Sequence, residues 1–478
     1  MSGSRRDLRA TLSAAGVPAP AAAAAAAPGQ VDPVREGAAV ATSGPASPAG
    51  EPPAAGAAAA DALAAERRRQ RDRRLTWLGR PGHQRGRRRH GLVPRLLERG
   101  LRRVTEAPLI AGNAADLLVD GLSAYPAMLD LIRSAQRSVC FENYIFRDDA
   151  VGRRFADALM ERARAGIRVR VLYDWLGSMH TSSRQWKRLR EAGCEVRCFG
   201  GPSARRPGRV FTRDHRKLLA VDGAAGIVGG FCIGVEWEDD GGLGSWRDTA
   251  VRVEGPVAIE LEVAFARIWR LAGGDMPDPP RPDHAARAEA PGEVAVRVVD
   301  GPPAQARTYR LYQLLAALAE HTLYVTGAYP LAPTALRRAL VSAARAGVDV
   351  RLLVPDRSDL RLLNQAARAH YARLLRSGVR IYLWQGPMLH AKTLVVDGVL
   401  ALVGSSNLNP FSMLGCYELD LQLQDPGLAG SLQRQFHLDL ERARELTVED
   451  WKRRPKADRI SERIGAALLW LPYKLYSG

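Results

Sequence analysis

Two segments of this 478-residue chain carry the same three reactive residue types at the same spacing. The first reads His215-Arg216-Lys217-Leu218-Leu219-Ala220-Val221-Asp222-Gly223, the second His390-Ala391-Lys392-Thr393-Leu394-Val395-Val396-Asp397-Gly398. Both are H-x-K-x4-D. Side chains two apart on an extended strand point to the same face, so each segment should present one imidazole beside one ammonium. Two such pairs suit a phosphodiester. Lysines hold the nonbridging oxygens of a five-coordinate phosphorus. One neutral imidazole attacks phosphorus to form a phosphohistidine. The other, protonated, donates to the leaving alkoxide and then deprotonates the incoming alcohol or water. A carboxylate beside each ring would fix its tautomer and stabilise the imidazolium. This chemistry requires no metal or other cofactor, and no His/Cys/carboxylate cluster has convincing metal-ligand spacing.

Asp222 and Asp397 precede glycines between two apolar runs, the pattern of a tight hairpin. They are candidates for the catalytic set, but the turn position favours a structural role. The hairpins sit late in a plan that the chain follows twice. Phe155, Leu159 and Gly166 are matched by Leu336, Leu340 and Gly347, each 181 positions later, and Trp186 and Leu189 by Tyr371 and Leu374, 185 later. Both copies contain an Ala-Arg-Ala-Gly helix end, with glycine where a helix C-terminus wants one. An apolar strand follows in each. Strands alternating with helices predict an α/β sandwich in each half, the halves related by a pseudo-twofold axis with a site at their seam.

These features resemble the phospholipase D superfamily, whose signature is the duplicated H-x-K-x4-D motif. The resemblance covers roughly residues 107–478. It is narrower for bacterial cardiolipin synthases of the type lacking transmembrane helices, through Tyr144-Ile145-Phe146-Arg147-Asp148-Asp149, Ala163-Arg164-Ala165-Gly166, Asp214-His215-Arg216-Lys217, Trp246-Arg247-Asp248 and Gly404-Ser405-Ser406-Asn407-Leu408-Asn409-Pro410. It implies two phospholipase D-like α-β-α sandwich domains, with His215 and His390 as the catalytic pair and Lys217 and Lys392 on the phosphate. Ser405 and Asn407 would complete the second phosphate pocket. Members usually carry an acidic partner for each histidine further downstream, where Asp248 and Glu418 fall. The implied reaction converts two phosphatidylglycerol molecules to cardiolipin and glycerol, with His215 as nucleophile and His390 as acid/base, an order that the near-symmetry of the motifs leaves open. Hydrolysis of a phospholipid or nucleic acid by the same machinery, and a non-catalytic anion-binding scaffold, are the alternatives. The first copy departs from the pattern, with Gly230 and Cys232 where the second has Ser405 and Asn407, and Asn409 stands where Asp is common.

The chain holds 69 Lys+Arg against 51 Asp+Glu, a formal charge of +18. That excess calls for a polyanionic partner. It is concentrated in residues 67–106, where arginines are interspersed with Leu75, Trp77, Leu92 and Leu96, a mixture that favours an anionic phospholipid membrane over nucleic acid. Residues 1–66, rich in Ala and Pro, are expected to be a disordered tail. The remaining divisions expected are a first domain over 107–290, a second over 291–440, and a basic amphipathic tail over 441–478. An arginine-rich insertion before the first hairpin (Arg205, Arg206, Arg209 and Arg213) could meet an anionic head group. In the C-terminal stretch, Arg459 and Arg463 alternate with Ile464, Leu468 and Trp470, which suits either an interfacial helix or one packed on the domain. No run approaches the ~20 apolar residues of a membrane span. Five cysteines, an odd and scattered set, fit a reducing compartment. A peripheral protein on the cytoplasmic side of the cell membrane is therefore expected.

Overall fold

A computed structural model of the chain describes residues 92–201, 212–238, 244–277, 291–303 and 305–476. The expected tail at 1–66, most of the arginine segment, and Arg205, Arg206 and Arg209 lie outside the described residues. So do the side chains of Trp470 and Leu471.

The strands of the first half are β1 (Ile110–Val119), β2 (Ser138–Asn143), β3 (Arg168–Asp174), β4 (Glu195–Phe199), β5 (Arg213–Asp214), β6 (Lys217–Val221), β7 (Ala225–Gly229) and β8 (Thr249–Glu254). Those of the second are β9 (Val294–Gly301), β10 (Thr322–Thr326), β11 (Asp349–Pro355), β12 (Arg380–Trp384), β13 (Thr393–Val396), β14 (Leu400–Gly404), β15 (Cys416–Gln424) and β16 (Ala443–Leu446). One sheet takes the order β16-β12-β11-β10-β13-β14-β15-β9-β1-β8-β7-β6-β2-β3-β4, with β5 attached to β15. Read outward from the antiparallel β9–β1 seam, the halves have matching orders, 9-15-14-13-10-11-12 and 1-8-7-6-2-3-4. The duplication expected from the 181-residue offset is thus a repeated strand order. In each half, β2-β3-β4 and β10-β11-β12 are parallel and joined by helices, while the motif hairpin is antiparallel.

Local sequence explains these elements. Lys217–Val221 and Leu400–Gly404 are buried along their whole length, as expected of strands covered on both faces. The helix Ala150–Arg164 starts where the Asp149 carboxylate accepts the Gly152 N–H at 2.8 Å and stops before Gly166, whose φ is +85°. At the hairpin tips both central residues have positive φ, 57° and 63° at Asp222-Gly223 and 52° and 65° at Asp397-Gly398, as a type I′ turn requires.

Three buried clusters hold the sheet. One packs the helices Asp120–Ser134 and Ala150–Arg164 on the first half, and a second packs Arg307–Leu318 and Thr334–Arg345 on the other. The third joins the halves, with Leu218, Val228 and Val251 meeting Val403, Leu419 and Leu421. Truncating one such leucine to alanine costs about 2–5 kcal/mol, so the seam is structural core. The end of the arginine segment forms the helix Leu92–Thr105, with Leu101 and Thr105 buried against the second half. Residues 441–478 do not begin as a free tail. They supply β16, paired to β12, and Trp451, buried in the second core, before the helix Lys456–Tyr476.

Candidate active site

Each histidine stands just before its hairpin ladder begins, His215 before β6 and His390 before β13. There the chain leaves its own sheet and pairs with the other half. The His215 N–H donates to the Tyr417 carbonyl at 3.0 Å, next to the β5–β15 pairing, and the His390 N–H donates to the Arg247 carbonyl at 2.7 Å. These crossings seat each ring on a carboxylate from the opposite copy. His215 Nδ1 lies 3.0 and 3.1 Å from the two oxygens of Glu418, and His390 Nδ1 lies 2.6 Å from Asp248 Oδ2. With Nδ1 held by a carboxylate, Nε2 of each ring is the nitrogen that the carboxylate does not engage. Lys217 and Lys392 each donate from Nζ to the carbonyl of the histidine two residues earlier. The His and Lys of each motif are therefore fixed together.

The electrostatics tie the copies into one site. Burial, Lys217 and Lys392 together hold His215 well below its ordinary pKa. Burial and Lys392 bring His390 down to about 4 against the opposing pull of Asp248, and Lys217 contributes in the same direction as Lys392. Burial lowers Lys392 to about 8, with Lys217 adding to the fall. The carboxylates differ. Burial pushes Glu418 up to about 7, opposed by Lys217 and by hydrogen bonds from Ser405 and Ser412. Burial also works against Asp248, but His390, Lys392 and the Thr249 N–H outweigh it and hold Asp248 below its usual value. One carboxylate is firmly ionised, and the other titrates near neutrality.

The expected phosphate-pocket residues divide. The Ser405 hydroxyl donates to Glu418 Oε2 at 2.5 Å, which makes it a support for the carboxylate. Asn407 is buried, and its side-chain oxygen has no partner among the described residues. On the other side, a Cβ at Gly230 would stand 2.0 Å from Asp248 Oδ1, so a serine there has no room. Trp237 supplies the missing donor, its Nε1 reaching Asp248 Oδ2 at 3.1 Å. Cys232 is buried beside both lysines.

Asp222 and Asp397 are not brought to the histidines. They sit at the far ends of the hairpin strands, about 16 Å along the chain from the lysines at ~3.3 Å per residue. Asp222 accepts the backbone N–H groups of Gln136, Arg137 and Ser138 at 2.7–2.8 Å, and Asp397 those of Glu320, His321 and Thr322 at 2.7–3.0 Å. Both clamp the chain entering β2 or β10. Arg213, expected in a head-group flap, is buried and paired with Asp174 at 3.2 Å.

Several contributors were given no role in the sequence analysis, although Tyr144, Arg216, Trp246 and Arg247 lie within the motifs that carry the resemblance. Trp237 and Ser412 complete the donor sets of Asp248 and Glu418. Tyr144 packs its ring 4.8 Å from that of His215, and Trp246 lies 5.4 Å from His390. Arg247 is buried and spans the seam, bonding Asp439 at 2.9 Å and Asp120 at 3.3 Å, while its carbonyl holds the His390 backbone. Arg216 is buried between Glu142 at 3.1 Å and Asp300 at 3.5 Å. The available signals were those motifs and adjacency, since Arg247 neighbours Asp248 and Arg216 lies inside the first motif.

A doubled α/β sheet with one His-Lys pair from each copy defines the phospholipase D-like class. The family described as cardiolipin synthase, PLD-like domain, matches residues 128–269 and 314–440. Cardiolipin synthase A of Pseudomonas aeruginosa is 33% identical over 372 residues, covering 77% of this chain and 75% of that protein. The major cardiolipin synthase ClsA of Bacillus subtilis is 32% identical over 74% of this chain and 75% of its own length. In fold, the crystal structure of phosphatidylserine synthase from Haemophilus influenzae superposes with a TM-score of 0.60 at 16% identity, covering 80% of this chain and 98% of that one. This chain belongs to the cardiolipin synthase branch of the phospholipase D-like family. Among the described residues no helix is long and apolar enough to cross a membrane.

Proposed function

We propose that this phospholipase D-family phosphatidyltransferase converts two phosphatidylglycerol molecules to cardiolipin and glycerol through a covalent phosphohistidine. The observation that carries the proposal is the pair of crossed histidine–carboxylate contacts, which bring one imidazole from each copy under the field of both lysines. In the first step the neutral His215 Nε2 attacks phosphorus and the P–O bond to the departing glycerol breaks. Without substrate His390 is neutral at pH 7, and it takes up a proton together with the anionic phosphodiester, whose charge raises its pKa; its Nε2 then gives that proton to the departing oxygen. In the second step His390 takes the proton from a glycerol hydroxyl of a second lipid, whose oxygen attacks phosphorus and releases His215. Lys217 and Lys392 answer the charge on the nonbridging oxygens throughout. The unequal carboxylates favour this order. Ionised Asp248 stabilises the imidazolium that His390 must form, whereas Glu418, near its midpoint at neutral pH, leaves His215 neutral and nucleophilic.

Membrane attachment is supported by exposed apolar side chains on loops beside both histidines. Leu176 and Met179 follow β3 in the loop where Ser178 bonds the Tyr144 carbonyl at 3.1 Å, next to His215. Leu360 adjoins Asp359, which accepts the Tyr329 hydroxyl at 2.9 Å beside His390. A mouth rimmed by such residues suits a site that draws lipid from a bilayer held on its cytoplasmic side. The decisive experiment incubates the protein with vesicles of phosphatidylglycerol and identifies the products. Cardiolipin with equimolar glycerol is expected. Phosphatidic acid alone would establish hydrolysis instead, and failure to trap a labelled phospho-enzyme would remove the covalent step.

A further inference from the structure

Away from the histidines, the second half contains a cavity of about 380 Å³ between the helices Tyr371–Arg376 and Val448–Arg453 and the first turn of Lys456–Tyr476. Its apolar lining includes Leu375, Val448 and Trp451, and its charged lining is Arg376, Lys452, Arg454 and Arg459. Four cations and no carboxylate line this one space. Arg454 is already answered by Glu462 at 3.1 Å and stacks over the Trp451 ring at 3.8 Å. Among the described residues, no carboxylate pairs with Arg376, Lys452 or Arg459. Arg376 and Arg459 donate only to the backbone carbonyls of Ala372 and Lys452. Trp451 is buried, and its indole Nε1 has no acceptor among the described residues.

The same helix carries an exposed stripe beyond the cavity. Ile460, Ile464 and Leu468 recur at intervals of four beside exposed Arg459 and Arg463, while Glu462 and Gly465 face inward. Gly465 packs against the helix Arg361–Arg368, which begins immediately after the rim residue Leu360. The helix that carries the stripe is thus anchored, through its buried side, on the helix that follows the rim residue.

We propose that this cavity is a non-catalytic site for the phosphate head group of an anionic phospholipid, distinct from the substrate site at the histidines. The cations would take the phosphodiester oxygens, the Trp451 and Leu375 surfaces the glycerol backbone, and the Ile460-Ile464-Leu468 stripe would lie among the acyl chains. The proposal rests on the membrane reading above but not on the reaction.

The test is binding to phosphatidylglycerol vesicles, with phosphatidylcholine vesicles as the uncharged reference, for the full chain and two variants of equal charge. Arg376→Gln/Lys452→Gln/Arg459→Gln empties the cavity of its unpaired cations. Arg164→Gln/Arg338→Gln/Arg345→Gln removes three exposed arginines elsewhere. At about fivefold per basic side chain held at an anionic surface, the cavity variant should lose on the order of a hundredfold in affinity and the control about threefold or less. Equal losses, or no loss in the cavity variant, would overturn the site. Millimolar inorganic phosphate should not displace the vesicles. If it does, the cavity takes a soluble phosphate compound and the lipid assignment falls. Turnover of dispersed short-chain phosphatidylglycerol should be the same in both variants and the parent. Absence of cardiolipin from all three, with the vesicle difference intact, would sink the proposed reaction and leave this site standing.

Discussion

Replacing Asp248 by asparagine exchanges one oxygen for an NH2 group at a point where three donors converge. His390 Nδ1 and Trp237 Nε1 share Oδ2, at 2.6 and 3.1 Å, and the Thr249 N–H reaches Oδ1 at 2.8 Å. An amide can keep only one of these acceptors. With its oxygen toward His390 the tautomer survives but the charge is lost. A charge-assisted hydrogen bond contributes about 1.5–3 kcal/mol, or roughly one to two powers of ten in rate. With its nitrogen toward His390, the amide donates to Nδ1 and moves the ring proton to Nε2, where the acid/base must exchange it. The analogous change in a Ser-His-Asp triad costs about 10⁴ in kcat. Asp248→Asn should therefore lower kcat by between about 10-fold, if the amide oxygen faces His390, and about 10⁴-fold, if its nitrogen does. KM should stay within a few-fold, because the lysines proposed to hold the phosphate are untouched. Glu418→Gln removes a charge that is only about half present at pH 7, and should cost about tenfold. The assay is initial-rate cardiolipin formation by mass spectrometry, with a thermal melt confirming that each variant is folded. Near-normal turnover in Asp248→Asn, or a larger loss in Glu418→Gln than in Asp248→Asn, would refute the division of labour between the two carboxylates.

Other perturbations separate chemistry from architecture. Lys392 must be an ammonium to hold phosphate, and burial brings its pKa down to about 8, so kcat/KM should fall as pH rises through about 8. Lys392→Arg, always charged, should abolish that limb even though its rate is lower. Asp222→Ala and Asp397→Ala each orphan three backbone N–H groups, and urea unfolding should show about 2–4 kcal/mol lost while turnover per folded molecule stays within a few-fold. A large fall in kcat at intact stability would instead place those aspartates in the chemistry. Arg247→Met leaves Asp439 and Asp120 without their cation and should cost about 3–5 kcal/mol in the same measurement, partly recovered by Asp439→Leu in the double variant.

The repeated plan was legible because Phe155, Leu159 and Gly166 are matched at constant spacing by two apolar residues and a glycine in the second copy, whereas the order of the strands across the sheet became visible only in the structure. The His-Lys pairs were legible because two residues on one extended segment cannot avoid sharing a side. Asp248 and Glu418 were found through resemblance alone. Which histidine each serves depends on contacts between residues about 140 and 200 positions apart, which no local pattern encodes. Trp237 shows the same limit. It reads as an ordinary core aromatic until Gly230 is seen to leave Asp248 without a serine donor. The expectation that 441–478 was a tail failed for a related reason, because the four-residue strand β16 becomes recognisable only beside the edge of β12.

The exchange of carboxylates between copies also bears on how the protein is made. A ribosome that has released only the first copy has produced His215 and Lys217 but neither Glu418 nor the second imidazole. Such a partial product lacks one member of each histidine–carboxylate pair that the proposed mechanism uses. Under that mechanism the site is complete only once β15 of the second copy has been made and has brought Glu418 to His215.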